Sequence, residues 1–229
     1  MRIIQLTMPT RDPNAVERFY GDRLGLAVRR DVDRVEVEVG STRMHFSRSA
    51  PFDGAQHLAF TIPTGSLAAA KAWLVDRAEL FELDGADEFE GPAGWNSRSL
   101  YFDGPDRQVL ELIERRELVS PPVDGFGPER ILDVSEVGIA VPDIGGAVER
   151  LRLAGSEPYA GTVGERFAAV GDLHGLLVLA APRRIWWPTI DRVAAESSVL
   201  VRADGIDLAV ELAPGVRIEP VATAVTRPR

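Results

Sequence analysis

The chain has 229 residues and no cysteine. Disulfide bonds, thiolate nucleophiles and cysteine-based zinc fingers are therefore excluded. No apolar run approaches the roughly 20 residues that a membrane-spanning helix needs. The first ten residues, MRIIQLTMPT, lack the basic region and apolar core of a signal peptide. We therefore expect a cytoplasmic protein with no membrane partner.

Positive charge is also scarce, because 26 basic residues face 35 acidic ones and the net charge is −9. Such acidity argues against nucleic acid as a partner. No GxGxxG loop follows an expected strand, and the chain has neither a Walker loop nor a GxSxG elbow. Nucleotide binding and serine hydrolase chemistry are therefore not expected.

One pattern occurs three times: a short apolar strand, a helix-capping residue, and then an amphipathic helix. The three copies read QLTMPTRDPNAVERFYGDRLGL, HLAFTIPTGSLAAAKAWLVDR and EVGIAVPDIGGAVERLRLAGSEP. Extended runs such as the strictly alternating VEVEVG follow each helix and predict strands. The repeat therefore predicts an α+β fold made of tandem βαβββ modules.

The modules set the expected domain organisation. Modules 1–50 and 55–115 form a first pair, and a Pro/Gly-rich linker covers 116–133. A third module begins at 134, and the chain ends in a strand-forming tail within 134–229 that contains no helical copy of the pattern. The tail reads as a hairpin plus another short strand.

Aligning the three copies on their helix caps places polar residues at matched positions. The opening strands begin with Gln5, His57 and Glu136. The last strands carry His45, Glu111 and Val178. The first two copies therefore offer two coordinating side chains each, whereas the third offers one and an apolar valine.

Glu111 stands within the apolar run VLELI, and in a strand it points away from both flanking leucines. If that face is covered, the carboxylate needs a cation, because an unpaired buried carboxylate is costly. A metal ion would serve, and the histidines are suitable ligands. The alternative is that Glu111 lies on a solvated face and pairs with Arg98 or Arg115, and that His57 is an ordinary structural histidine.

The opening strand and FY…LGL helix end of QLTMPTRDPNAVERFYGDRLGL, together with HLAFTIP and YFDGPDRQVLELIE, resemble the vicinal oxygen chelate superfamily. This group includes glyoxalases, bleomycin-resistance proteins and extradiol dioxygenases. The resemblance covers residues 1–115 well and implies curved, cup-shaped mixed sheets. Residues 134–182 resemble a further module, and the tail resembles a degenerate fourth one without its helix.

The resemblance also implies a divalent metal (Fe, Mn, Ni or Zn), bound by residues of the first and last strands of paired modules. Carried over to the first two modules, the expected ligands are Gln5, His45, His57 and Glu111. His45 stands where glyoxalase-like members commonly have glutamate, and Gln5 departs from the dioxygenase pattern. Glu111 is the expected catalytic residue, since it could leave the metal and act as a base.

The third module is expected to bind no metal, because Val178 cannot ligate and Glu136 would have no partner. It would serve as scaffold or as cover for the cup. The expected substrate-binding residues precede the Glu111 strand: Trp95, Asn96, Arg98 and Tyr101. The segment RRIWWPT, 183–189, could form a lid or a contact for a flat ligand, but we favour an aromatic anchor for the tail.

Three functions remain open at this point. The first is a metal-dependent lyase, isomerase or ring-cleaving dioxygenase that chelates vicinal oxygens of a small substrate. The second is a metal-free protein of the bleomycin-resistance type that binds a drug or metabolite, with Trp95 and Tyr101 as walls. The third is a scaffold whose site has decayed. The cup could close within one chain or across a homodimer.

Overall fold

The computed structural model describes residues 1–49, 52–120 and 125–221. Small parts of the expected units lie outside the described residues: residue 50 of the first module, 121–124 of the linker and 222–229 of the tail. No helix in the described part of the chain combines the length and apolar character needed to cross a membrane.

The first two modules follow the predicted order of strand, helix and strands. In module one these are β1 (Arg2–Thr10), α1 (Pro13–Val16) with a π-helical continuation (Glu17–Arg23), β2 (Ala27–Arg30), β3 (Arg34–Val39) and β4 (Thr42–Arg48). In module two they are β5 (His57–Ile62), α2 (Leu67–Leu74), β6 (Phe89–Glu90), β7 (Ser97–Asp103) and β8 (Val109–Arg115), with a 3-10 turn at Pro105–Arg107.

The remaining elements form the third module and the tail. Module three, after a 3-10 turn at Pro128–Arg130, contains β9 (Asp133–Ala140), α3 (Ile144–Leu153), β10 (Pro158–Val163), β11 (Phe167–Asp172) and β12 (Gly175–Ala180). The described tail contains β13 (Val199–Asp204), β14 (Val210–Ala213) and β15 (Val216–Pro220) and no helix. The predicted α+β class with βαβββ modules is therefore confirmed.

Two sheets organise these modules. The first has the strand order β14-β15-β13-β1-β4-β3-β2 and the second β10-β11-β12-β9-β5-β8-β7-β6. Module one therefore shares a sheet with the tail, through antiparallel pairing of β1 with β13. Module two shares a sheet with module three, through antiparallel pairing of β5 with β9.

This arrangement corrects the expectation that modules one and two form the cup together. Within each module the opening strand pairs in parallel with the last strand, β1 with β4 and β5 with β8. The other edge of each opening strand is left to join a different module. The repeat pattern is the same in every copy, so it does not specify which two edges meet.

Helix starts follow local capping chemistry. Asp12 accepts a hydrogen bond from the Asn14 backbone N–H at 2.9 Å, and Asp143 accepts one from Gly146 at 2.8 Å. Ser66 precedes α2 without a side-chain cap. There the carboxylate of Glu114, from β8, accepts the N–H of Leu67 at 3.2 Å, so the neighbouring strand caps this helix.

The two faces of the second sheet have different roles. Leu58 and Phe60 of β5 belong to the main apolar core, which contains residues of both sheets and of the helices. His57 and Ala59 alternate with them and point to the opposite face. All six residues of β5 are buried, so that opposite face is covered as well.

A chain of buried hydrogen bonds joins the two sheets. The Tyr20 hydroxyl donates to Gln108 Oε1 at 2.8 Å, and Gln108 Nε2 donates to Gln56 Oε1 at 2.9 Å. Gln56 Nε2 in turn donates to the Pro9 carbonyl of β1 at 3.0 Å. The relay therefore fixes module one against module two, although the two modules lie in different sheets.

We expect Tyr20→Phe to lower the free energy of unfolding by about 1–3 kcal/mol, because it leaves the buried Gln108 oxygen without its donor. Urea unfolding followed by circular dichroism measures the change. Val32→Ala, at an exposed position, is the control and should stay within about 0.5 kcal/mol of the parent chain. Equal stability of the Tyr20→Phe and parent chains would show that the relay does not couple the sheets.

Candidate metal centre

His57, Glu111 and Glu136 meet on the covered face of the second sheet. One potential ligand atom of each lies within 4.8 Å of the others. The three side chains come from three adjacent strands, β5, β8 and β9. Each residue is no more than 5% exposed, so the group is a buried cluster rather than a patch of surface acids.

The strand register explains this meeting. Ala59, at the centre of β5, lies opposite Glu111 on β8 and opposite Glu136 on β9. Residues paired across a sheet point to the same face, so the two carboxylates flank Ala59. His57 is two residues before Ala59 and shares its face.

A backbone contact fixes the tautomer of His57. Its Nδ1 lies 2.9 Å from the carbonyl oxygen of Val109, and a carbonyl can only accept, so Nδ1 carries the proton. Burial lowers the pKa of His57 to about 4, and the ring is neutral near pH 7. Its Nε2 lone pair is therefore free, and it lies 3.6 Å from Glu111 Oε2. This is the form in which imidazole binds a metal.

Side chains of β7, Ser99 and Tyr101, hydrogen-bond the Glu111 carboxyl group. Ser99 Oγ donates to Oε1 at 2.5 Å, while Oε2 faces His57. Burial, and secondarily the charge of Glu136, raise the pKa of Glu111 to about 8. Near pH 7 the carboxyl therefore holds a proton when no cation is present, and a metal ion bound between Oε2 and the His57 nitrogen would displace that proton.

Glu136 has a partial counter-charge. Arg115 Nη2 donates to Glu136 Oε1 at 2.5 Å, and Arg115 Nε donates to Ser135 Oγ at 3.2 Å. Burial raises the pKa of Glu136, and the Arg115 charge opposes this shift. The guanidinium also lies 5.6 Å from the ring centres of Trp95 and Tyr159.

The donor set fits a divalent metal ion. Two buried carboxylates face one guanidinium, so the cluster has one negative charge more than its positive charges when both acids are ionised. An imidazole nitrogen with two carboxylate oxygens suits Fe, Mn, Ni or Zn. Val178, which the alignment of the modules matches to Glu111, also lines the cavity beside these residues. Three protein ligands would leave coordination positions for oxygen atoms of a small molecule.

The cluster opens into a cavity of about 380 Å³, the size of a small-molecule site. Its walls are rich in aromatic rings, contributed by Trp95, Tyr101, Phe167, Trp186 and Trp187. The His57 and Trp186 ring centres are 5.1 Å apart. Trp186 is buried and its Nε1 donates to the Ala55 carbonyl at 2.8 Å, so this hydrogen bond joins the segment 183–189 to the start of module two.

The structure does not bring Gln5 and His45 to this cluster, and the expected four-residue ligand set is corrected on this point. Both residues lie in the first sheet, on β1 and β4. Arg202 of β13 approaches Gln5 Oε1 at 3.4 Å, and His45 Nδ1 lies 3.5 Å from Glu36 Oε2. His57 and Glu111 do meet, but their third partner is Glu136.

Within its own module Glu136 has no coordinating partner, because the last strand carries Val178 at the matched position. The sequence pattern places Glu136 in an opening strand at the position that matches His57, but the pattern does not predict that these two strands pair. The expectation that Glu136 has no partner is therefore wrong, because Glu136 lies beside His57 and Glu111. Because β9 pairs with β5, the module supplies one carboxylate to a site shared with module two.

The expected substrate-binding residues divide into two groups. Trp95 and Tyr101 line the cavity, whereas Asn96 and Arg98 do not. On β7, Ser97, Ser99 and Tyr101 share the cavity face, and strand alternation turns Arg98 away. Arg98 Nη2 instead binds Glu88 at 2.7 Å, and the exposed Asn96 amide contacts Glu117.

No protein-family model and no curated protein sequence matches the chain. Solved structures do match it. A proposed dioxygenase from Bacillus subtilis subsp. subtilis str. 168 is 19% identical, with a TM-score of 0.56 over 89% of this chain and 70% of that protein. Glyoxalase I from Zea mays is 14% identical, with a TM-score of 0.55 over 88% and 74%. Such matches show the fold, which is that of the vicinal oxygen chelate superfamily.

We expect His57→Ala and Glu136→Ala to weaken binding of a divalent metal at least about tenfold, because each change removes a ligand. Titration with Mn²⁺, Ni²⁺ and Zn²⁺, followed by metal analysis of the desalted protein, measures the loss. His45→Ala is the matched control, because it removes the histidine of the other sheet, and it should bind metal like the parent chain. Reduced binding in the control with full binding in His57→Ala would refute the assignment.

Proposed function

We propose that this chain, which has the vicinal oxygen chelate fold, is a metal-dependent enzyme acting on a small molecule with two neighbouring oxygen atoms. Its reaction would be of the glyoxalase or lyase, isomerase, or dioxygenase type. One observation carries the proposal: the buried group of His57, Glu111 and Glu136 opens directly into an aromatic-walled cavity.

The fold neighbours support this choice without specifying the reaction. One is a glyoxalase and the other a proposed dioxygenase, so the same architecture serves different chemistries. His57, Glu111 and Glu136 would hold the ion through one nitrogen and two oxygens. When bound, it would supply Lewis-acid stabilisation of negative charge that develops on the substrate oxygens.

Glu111 is the proposed proton-transfer residue. It lines the cavity, its Oε1 accepts from Ser99, and its release from the ion would free Oε2 to act as a base. In a lyase or isomerase reaction, Oε2 would accept a proton from a substrate carbon next to a carbonyl group and return it to the adjacent atom. Tyr101, paired across the sheet with Glu111, forms part of the wall that would exclude water from this step.

A second function is favoured by one contact, the ion pair between Arg115 and Glu136. The guanidinium already balances one of the two buried carboxylates, as an internal cation would in a metal-free site. The chain would then be a protein that binds a drug or metabolite between its aromatic walls. Chelator treatment distinguishes the two functions, because only the enzyme would need a metal.

We expect Glu111→Gln to lower turnover about 100-fold or more, because an amide cannot accept the proton. Deuterium exchange at the α-carbon of hydroxyacetone and oxygen uptake with catechol are suitable assays, run with the metal-loaded protein. Glu129→Gln, at an exposed position, is the control and should keep parent activity. If the parent chain turns over no probe and binds catechol equally before and after chelation, the binding function replaces the enzymatic one.

A further inference from the structure

The segment 183–190 lies beside the candidate metal centre and has a fixed position. The backbone N–H of Ala194 donates to the Arg184 carbonyl at 2.7 Å, and that of Trp186 donates to Arg192 at 2.9 Å. Together with the Trp186–Ala55 hydrogen bond, these contacts tie the segment to the residues before β5. The side chains of residues 183–190 that face the cavity therefore extend from a backbone that is held by hydrogen bonds.

Arg184 lines the cavity and is half-buried. Its guanidinium lies 4.6 Å from the Phe167 ring centre, and its Nη1 makes a long contact of 3.4 Å with the Ile185 carbonyl. Within the described ranges, no carboxylate lies within 4.0 Å of it. A guanidinium has five N–H donors, so most of the binding capacity of this side chain is unused.

Three other arginines near the cavity are paired with acids, whereas Arg184 has no such partner among the described residues. Arg115 binds Glu136, Arg192 binds Asp103 at 2.8 Å, and Arg98 binds Glu88. Glu90, an acid of the cavity wall, is itself held by Arg98 and by Arg116 at 2.9 Å. Arg184 therefore contributes a positive charge that no neighbouring acid of the described chain neutralises by direct contact.

The electrostatic surroundings agree with this geometry. Burial and the nearby charge of Arg166 lower the pKa of Arg184. Two positive charges stand close together here, and an anion would stabilise both.

The adjoining walls are flat. Trp187 lines the cavity although its residue is 55% exposed, and its ring meets Phe89 edge to face at 5.9 Å. Phe167, Trp186 and Tyr101 supply further aromatic surface. Aromatic rings offer large flat faces on which an aromatic ligand can stack, and a guanidinium matches the geometry of a carboxylate.

We propose that Arg184 binds the carboxylate of a planar, aromatic substrate, stacked near Trp187, whose other end reaches His57, Glu111 and Glu136. The position of that other end rests on the proposed function. Recognition of the carboxylate by Arg184 does not, because it needs no metal and no turnover.

The test compares 3,4-dihydroxybenzoate with catechol by titration calorimetry on the metal-loaded chain. We expect the carboxylate to strengthen binding about tenfold or more. Arg184→Gln should abolish this advantage and leave catechol affinity unchanged, whereas Arg184→Lys should retain part of it. Arg183→Gln, at the neighbouring exposed arginine, should behave as the parent chain.

Benzoate and benzyl alcohol, titrated into chelator-treated protein, separate this inference from the proposed function. A preference for benzoate that depends on Arg184 would support carboxylate recognition even if no metal binds. The inference would be overturned if each carboxylate bound no more tightly than its neutral counterpart, or if Arg184→Gln kept the preference for the carboxylate. If the parent chain binds no metal but still prefers carboxylates in a way that depends on Arg184, only the proposed enzymatic function would be contradicted.

Discussion

The burial of two carboxyl groups on the two strands that flank β5 is the constraint on which this site depends. Glu111 and Glu136 flank one alanine of β5, and both are almost fully buried. Unpaired charges in such a place would be costly. Arg115 offsets one of them, and the neutral imidazole of His57 faces the other with a free lone pair. Glu111 keeps a proton near pH 7 when no second cation is present, and a divalent ion would stabilise its ionised form instead.

The repeat made much of the fold predictable. Strand alternation indicated the βαβββ copies, and capping residues marked helix starts, as Asp12 and Asp143 do. Both signals depend only on residues that are a few positions apart. The pairing of modules depends instead on which strand edges meet across the chain. The opening strands of the copies have equivalent free edges, so nothing local in β1 or β5 specifies β13 or β9 as its partner.

The same distinction explains the mixed outcome for the site. His57 and Glu111 belong to one module, and the parallel register of β5 with β8 could be inferred from the repeat. Glu136 required knowledge of the β5–β9 contact, which joins residues almost eighty positions apart. The expectation that Arg98 binds substrate overlooked strand alternation. Its neighbours on β7 face the cavity, so Arg98 points to the other face of the sheet.

The first sheet shows how the same repeat can lead to a different interior. At the position matched to His57, β1 carries Gln5, and its antiparallel partner β13 carries Arg202 directly opposite. Arg202 is held by Glu219 at 3.2 Å and contacts Gln5. A cation supplied by the chain thus occupies the neighbourhood where a metal was expected. In the second sheet, Ala59 and Val178 are small or apolar, and the space near the carboxylates remains open for a ligand.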